Sequence, residues 1–198
     1  MYDENYYKTL NYADYLSRQE RYDKLQDDIC GLLSDLGLLK PDMNILDYGC
    51  AVGFLVKSFQ DAGYKNTHGY DISDWAKKQA RDNGINNIWD VLPKEDYDLV
   101  TALDVFEHMG DKAVKDALLD IDTKILIVRI PVAVANQYEV DLKFHLEVSR
   151  RDPTHINCKT AREWEEFITR YGMFRTCFKL NLHTIYDSPG VFCAMFVS

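Results

Sequence analysis

Two aspartates, Asp47 and Asp71, stand 24 residues apart and bracket the segment richest in chemistry. Asp47 lies in Ile45-Leu-Asp-Tyr-Gly-Cys-Ala-Val-Gly-Phe54, in which Gly49 and Gly53 lie between an apolar run and a helical pattern. Glycines at such a junction let the backbone pass close to a ligand, and the N-terminus of the following helix adds N–H donors. A purely structural tight turn uses the same residues, so the loop alone is a weak signal. Asp71 strengthens it, because a carboxylate at the tip of the next strand accepts hydrogen bonds from the two ribose hydroxyls of a nucleoside cofactor. The competing reading of Asp71 is a solvated acid capping the helix that starts after Ser73. Three histidines, His108, His145 and His155, supply side chains that exchange a proton near neutrality.

The elements that must position these groups alternate in type. Residues Tyr22, Leu25, Ile29, Leu32, Leu33 and Leu36 recur at three- and four-residue steps, which predicts an amphipathic helix over Gln19 to Leu36, ended by Gly37. Asn44 to Tyr48 reads as a buried strand, Phe54 to Ala62 as a helix closed by Gly63, and Thr67 to Asp71 as a second strand. Ser73 is a plausible N-cap for a helix over Asp74 to Asn83, stopped by Gly84. Further strands are predicted at Asn87 to Val91, Asp98 to Leu103 and Lys124 to Ile130, with a helix over Lys112 to Leu119. Thr160 to Tyr171 is a helix, and two last strands follow at about Phe174 to Leu182 and Val191 to Val197. Alternating strands and helices imply a mostly parallel sheet covered on both faces, and the final two strands, with no helix between them, an antiparallel pair at one edge.

Composition limits the classes of function. The chain has 198 residues, 46% of them apolar and 28% charged, enough for one packed domain and too apolar for a disordered chain. One domain over 1–198 is expected, with 1–40 as a helical cap, 41–198 as the core and 131–159 as an insertion on the substrate side. Acids exceed bases by 32 to 23, a net charge of −9 that disfavours a nucleic-acid partner. No run approaches the ~20 apolar residues of a membrane span, and the opening Met1-Tyr-Asp-Glu-Asn has neither region of a secretory leader. The five cysteines form no C-x-x-C pair, so neither a disulfide framework nor a structural zinc site is expected. A soluble cytoplasmic protein is the expectation.

Taken in order, three motifs resemble those of the class I S-adenosylmethionine-dependent methyltransferases. Asp47-Tyr-Gly49-Cys-Ala51-Val-Gly53 resembles their D-x-G-x-G-x-G motif, with Ala51 in place of the middle glycine. Gly69-Tyr-Asp71-Ile-Ser73 looks like the ribose-binding motif, and Asp98-Leu-Val-Thr-Ala-Leu-Asp-Val-Phe-Glu-His108 like the fourth-strand motif with its trailing E-H. The resemblance implies an α/β, Rossmann-like, doubly wound and mostly parallel seven-stranded sheet with an antiparallel C-terminal strand. It also implies S-adenosylmethionine as cofactor. Asp47 and the loop amides near Gly49, Cys50 and Ala51 would hold the methionine end, Asp71 the ribose and Ile72 the adenine face. Asp90 and Val91 occupy the position that meets the adenine edge, although Asp90 reads equally as a turn residue before Pro93. The backbone at Leu103 would lie beside the sulfonium.

Methyl transfer to a hydroxyl needs alignment and a base. The three histidines are the candidates, with structural packing of Glu107-His108 and a bonded turn at His155 as the competing readings. His145 and His155 lie in a connection of about 29 residues, Pro131 to Lys159, far beyond the usual length, and such loops tend to carry function. Arg150 and Arg151 would clamp an acidic group on the acceptor or form a solvated pair. No metal is expected, because no His, Asp and Glu show ligand spacing and the neighbours Glu107 and His108 would face differently. Six of the 13 tyrosines fall within the first 22 residues. Tyr12 and Tyr15 line a lid over acceptor and cofactor, pack the cap, or do both, since the ring offers an apolar body and a polar tip. The expected activity is methylation of a small molecule, a sugar or glycan hydroxyl. The alternatives are N- or C-methylation of a metabolite or protein side chain, or a cofactor-binding partner subunit without turnover.

Overall fold

The computed structural model describes residues 2–8, 14–133 and 152–198. In chain order the elements are α1 (Gln19–Asp35), β1 (Ile45–Tyr48), α2 (Phe54–Asp61), β2 (Thr67–Tyr70), α3 (Asp74–Asp82), β3 (Ile88–Trp89) and β4 (Asp96–Tyr97). There follow β5 (Leu99–Leu103), α4 (Asp111–Asp120), β6 (Asp122–Thr123), β7 (Ile125–Pro131), α5 (Ala161–Tyr171), β8 (Thr176–Lys179) and β9 (Val191–Val197). Short 3-10 turns stand at Tyr6–Lys8, Tyr15–Ser17 and Phe106–His108.

Seven strands form one sheet in the order β3-β2-β1-β5-β7-β9-β8. The β1–β2 and β2–β3 pairs are parallel, whereas β9 runs antiparallel to both β7 and β8. This is the mostly parallel Rossmann-like sheet with an antiparallel C-terminal strand that the motifs imply. A second, two-stranded parallel pair, β4 with β6, is an addition. Two residues per strand carry no alternation, so nothing in the residue pattern announces it.

The chain divides into two compact units, Met1–Pro93 with Asp98–Val100, and Lys94–Tyr97 with Thr101–Ser198. In the first, β1 is buried at all four positions, as a central parallel strand requires. Helix α1 buries Leu25, Ile29 and Leu33 at four-residue steps. The side-chain amide of Gln19 donates to Ser58 Oγ at 2.9 Å, and that hydroxyl donates to Asp23 Oδ1 at 2.7 Å, fastening α1 to α2. Ser73 caps α3, its hydroxyl accepting from the Ala76 amide at 3.1 Å.

In the second unit, β7 and β9 pair over seven residues, from Ile125 with Val197 to Pro131 with Val191. Proline, which lacks an N–H, ends the strand. Helix α5 opens with a reciprocal cap, in which Glu163 Oε2 accepts from the Thr160 amide at 2.8 Å and Thr160 Oγ1 accepts from the Glu163 amide at 3.3 Å. Trp164 and Ile168 on its inner face are fully buried. Among the described residues, no helix is long and apolar enough to cross a membrane.

Candidate functional site

In the first unit the glycine loop is held by β2 and the residue after it. The Gly49 and Cys50 amides both donate to the Tyr70 carbonyl, at 2.7 and 3.1 Å, and the Ala51 amide donates to Asp71 Oδ2 at 2.8 Å. Gly49, Ala51 and Gly53 all take left-handed backbone conformations, with φ of 80°, 47° and 80°. Glycine accepts this region freely, while Ala51 is held in it at a cost of about 1–2 kcal/mol. A side chain at Gly69 would meet Cys50 Sγ at 2.6 Å, so the glycine of the second motif keeps room for the loop of the first.

Asp71 is 7% exposed, so it is not a solvated acid. Its other oxygen, Oδ1, accepts from the Ser73 amide at 2.7 Å, which closes a local turn at the start of α3. Burial raises its carboxyl above the ordinary aspartate range, opposed by the Ser73 and Ala51 amides and the Lys77 charge. Asp47 is buried at its side of the loop. Cys50 is buried too, and burial with the nearby Asp47 and Asp71 pushes its thiol well up, so it stays protonated. Beyond the carboxylate, Ile72 and Val91 are 67% and 79% exposed, a large apolar area left open to solvent. Asp90 sits in an ion-paired corner, 3.1 Å from Arg81 Nη2 and 3.2 Å from Lys77 Nζ.

The early tyrosines pack onto this loop. Tyr7 and Tyr15 are buried with Ala51, Val52, Phe54 and Ala76 in one cluster, against which Tyr2, Tyr6, Tyr22 and Trp75 rest. Tyr7 stacks on Trp75 with centroids 5.1 Å apart, and the Tyr22 hydroxyl donates to that of Tyr15 at 3.2 Å. Tyr15 packs the cap, which is one of the two readings of these rings and is compatible with the other. Tyr12, His145, Arg150 and Arg151 lie outside the described residues.

The second unit gathers the other chemistry at the end of β5. After Leu103, Asp104 turns into the left-handed region (φ 56°), its amide donating to the Arg129 carbonyl at 2.7 Å. Arg129 Nε donates to both carboxylate oxygens, at 2.9 and 3.0 Å. The following 3-10 turn presents Glu107 and His108. Onto it docks the string Asp152-Pro-Thr-His-Ile-Asn157. The Ile156 and Asn157 amides both donate to the Glu107 carbonyl at 2.9 Å, and Asn157 Nδ2 donates to the Met109 carbonyl at 2.8 Å. His155 is a bonded turn residue, its amide donating to Asp152 O at 3.1 Å, and its ring also meets His108, with centroids 4.7 Å apart.

The expectation that Glu107 and His108 would face differently is therefore corrected. In the 3-10 turn their side chains converge, and His108 Nε2 lies 3.9 Å from Glu107 Oε1. Glu107, His108 and His155 each bring a potential ligand atom to within 4.8 Å of the others. Spacing along the chain hides this, since the third member arrives through the backbone bonds to the Glu107 carbonyl. Glu107 is 1% exposed, and neither carboxylate oxygen has a hydrogen-bond partner among the described residues. Burial, with the charge of Asp104, drives its carboxyl far above the usual range. His108 Nδ1 lies 2.8 Å from Thr154 Oγ1 and 3.2 Å from the Thr154 carbonyl. Burial and the neighbouring His155 lower its pKa, which favours the neutral ring. Thr154 and Asp152, which hold His108, stand out in the sequence only as part of the D-P-T-H string, and nothing in the residue pattern marks their contact with His108.

A family model described as a methyltransferase domain matches residues 19–173. No curated protein matches the sequence at a significant level. Among solved structures, a methyltransferase of Archaeoglobus fulgidus is 16% identical, with a TM-score of 0.62 over 93% of this chain and 99% of that one. A methyltransferase of Clostridium acetobutylicum is 13% identical, with a TM-score of 0.65 over 89% and 91%. Magnesium protoporphyrin IX methyltransferase of Synechocystis, solved with S-adenosylhomocysteine, is 18% identical, with a TM-score of 0.61 over 96% and 88%. At these identities the likeness is one of fold, while the matched domain covers most of the sequence. The chain belongs to the class I S-adenosylmethionine-dependent methyltransferases.

Proposed function

We propose that this protein methylates a hydroxyl group of a small-molecule acceptor, a sugar or glycan, in the cytoplasm. The observation that carries the reading is the half-buried His108 with its ring 4.7 Å from that of His155, a pair suited to handling the acceptor's proton, since burial and His155 both lower the His108 pKa. S-adenosylmethionine, when bound, supplies an electrophilic methyl group and leaves as a neutral thioether.

The residues of the first unit fit that cofactor. Each oxygen of Asp71 accepts one backbone amide and keeps a lone pair for a ribose hydroxyl. The exposed side chains of Ile72 and Val91 offer apolar walls for adenine, and Asp90 the polar edge. Asp47 and the amides of the Gly49–Gly53 loop take the methionine end; Leu103, a residue of the second unit, keeps the sulfonium role that its motif resemblance implies. Tyr12 and Tyr15 cover the ligands, and Arg150 and Arg151 clamp an acidic group on the acceptor. His108 Nε2 accepts the hydroxyl proton, with His155 and His145 as further candidates for that role.

Mass spectrometry of products from a panel of sugars and glycans, with the position of the new methyl group assigned by NMR, tests the reading. O-methylation, lowered at least tenfold by His108→Ala or His155→Ala, is expected. A product methylated only at nitrogen or carbon would overturn it.

A further inference from the structure

We propose that Glu107, His108 and His155 together bind a divalent metal ion. The first support is Glu107 itself. A carboxylate 1% exposed with neither oxygen hydrogen-bonded among the described residues is a costly arrangement, and such groups are rare unless something neutralises them. The neighbouring cation, Arg129, is engaged by both oxygens of Asp104, and its charge offsets only part of the effect of burial on Glu107.

The second support is the tautomer of His108. The Thr154 hydroxyl donates to Asp152 Oδ1, so toward the histidine it acts as an acceptor. His108 Nδ1 must then carry the proton and donate to Thr154 Oγ1, 2.8 Å away, and to the Thr154 carbonyl, 3.2 Å away. That leaves a lone pair on Nε2, the atom facing Glu107 at 3.9 Å. A ring nitrogen held by an outer hydrogen bond, with the other nitrogen unprotonated and near a carboxylate, is the arrangement that prepares histidine for a metal.

The third support is convergence. The three potential ligand atoms lie within 4.8 Å of one another, and the side chains of His108 and His155 are each only 10% exposed. Around an ion about 2.1 Å from each ligand, tetrahedral or octahedral geometry sets neighbouring ligand atoms roughly 3.0–3.4 Å apart. The group closes on the ion by side-chain rotation, without moving the backbone that the Ile156 and Asn157 amides pin to Glu107. Two imidazoles and one carboxylate suit Mn²⁺, Fe²⁺, Co²⁺ or Zn²⁺ better than Ca²⁺, and three protein ligands leave positions open. An ion held there would occupy the His108 Nε2 lone pair and so compete with the proton transfer assigned to that atom above, while the binding itself does not rest on the hydroxyl reading.

The full chain, stripped with a chelator, is titrated with Mn²⁺ followed by electron paramagnetic resonance and with Co²⁺ followed by visible absorption. One saturable ion per chain is expected, weakened at least tenfold in both His155→Ala and Glu107→Gln, with circular dichroism melts to show that each variant folds. No saturable binding at millimolar ion, or binding unchanged in both variants, overturns the site. S-adenosylhomocysteine is titrated in parallel. If it binds and the metal ions do not, the cation site fails and the methyltransferase reading stands. If it does not bind, that reading fails, whatever the metal result.

Discussion

Asp71 and Glu107 are both buried acids just beyond the ends of parallel strands, and they are satisfied in opposite ways. Asp71 receives the Ala51 and Ser73 amides and lies near Lys77, whereas among the described residues Glu107 has no hydrogen bond to either oxygen. Burial raises both carboxyls, but only in Asp71 is much of that cost offset by donors. A satisfied acid is a structural clasp that also faces its ligand. An unsatisfied one is held at the expense of stability, as functional groups often are.

The comparison breaks first at Asp71. Asp71→Ala strands two buried amides and removes the ribose partner, so it is expected to weaken S-adenosylhomocysteine binding about 100-fold, near 2.7 kcal/mol, and to destabilise the fold by about 2–4 kcal/mol. Calorimetric titration and a urea melt read both effects. An affinity within twofold of the parent would sink the ribose assignment.

Glu107→Gln is expected to act in the other direction. The folded carboxyl titrates above its unfolded value near 4.3, so the native state disfavours the charged form. The resulting penalty is absent below pH 4 and grows as pH rises from there toward the folded pKa. The amide, with no charge, should therefore stabilise the metal-free protein by roughly 1–3 kcal/mol at pH 7 and by almost nothing at pH 4. Thermal melts of both proteins at the two pH values measure this. A glutamine variant less stable at pH 7 would mean that Glu107 has a partner after all.

His108 sharpens the same contrast from the side of turnover. With its pKa lowered by burial and by His155, it is neutral at pH 7, and kcat/KM should be flat above neutrality. The acid limb then falls tenfold per pH unit, with its midpoint below the ordinary histidine value of about 6.5. A midpoint above that value would exclude His108 as the group that takes the proton.

What was legible in the sequence divides along the same line. The cofactor loop is a local feature. Its strand, left-handed glycines, helix start and the Ser73 cap lie within about 30 residues, and each leaves a mark in residue type. The histidine cluster is not local. His108 and His155 meet because two amides of a distant string bond one carbonyl, and no residue type advertises a backbone bond of that kind. The burial of Glu107 was equally hidden, since packing of the Glu107-His108 pair was only one of its readings and it takes the 3-10 turn over Phe106–His108 to show that the glutamate lies inside. The β4–β6 pair was hidden by brevity alone.

The smallest expected effect lies at Ala51, where both kinds of signal meet. The family's motif has glycine there, and the structure gives the alanine a φ of 47° that glycine adopts without strain. The Ala51 amide must point at Asp71 Oδ2 to satisfy it, so the conformation is imposed by the acid and not by the side chain. Ala51→Gly removes about 1–2 kcal/mol of strain and adds about 0.4–1 kcal/mol of unfolded-chain entropy. The net is a stabilisation of about 0.5–1 kcal/mol, seen as a small rise in the urea midpoint at unchanged m-value. The variant also loses a methyl group that packs with Tyr7 and Tyr15, which sets the upper limit on the gain. A loss of more than about 1 kcal/mol would show that the contact of this methyl with the tyrosine cap outweighs the backbone strain.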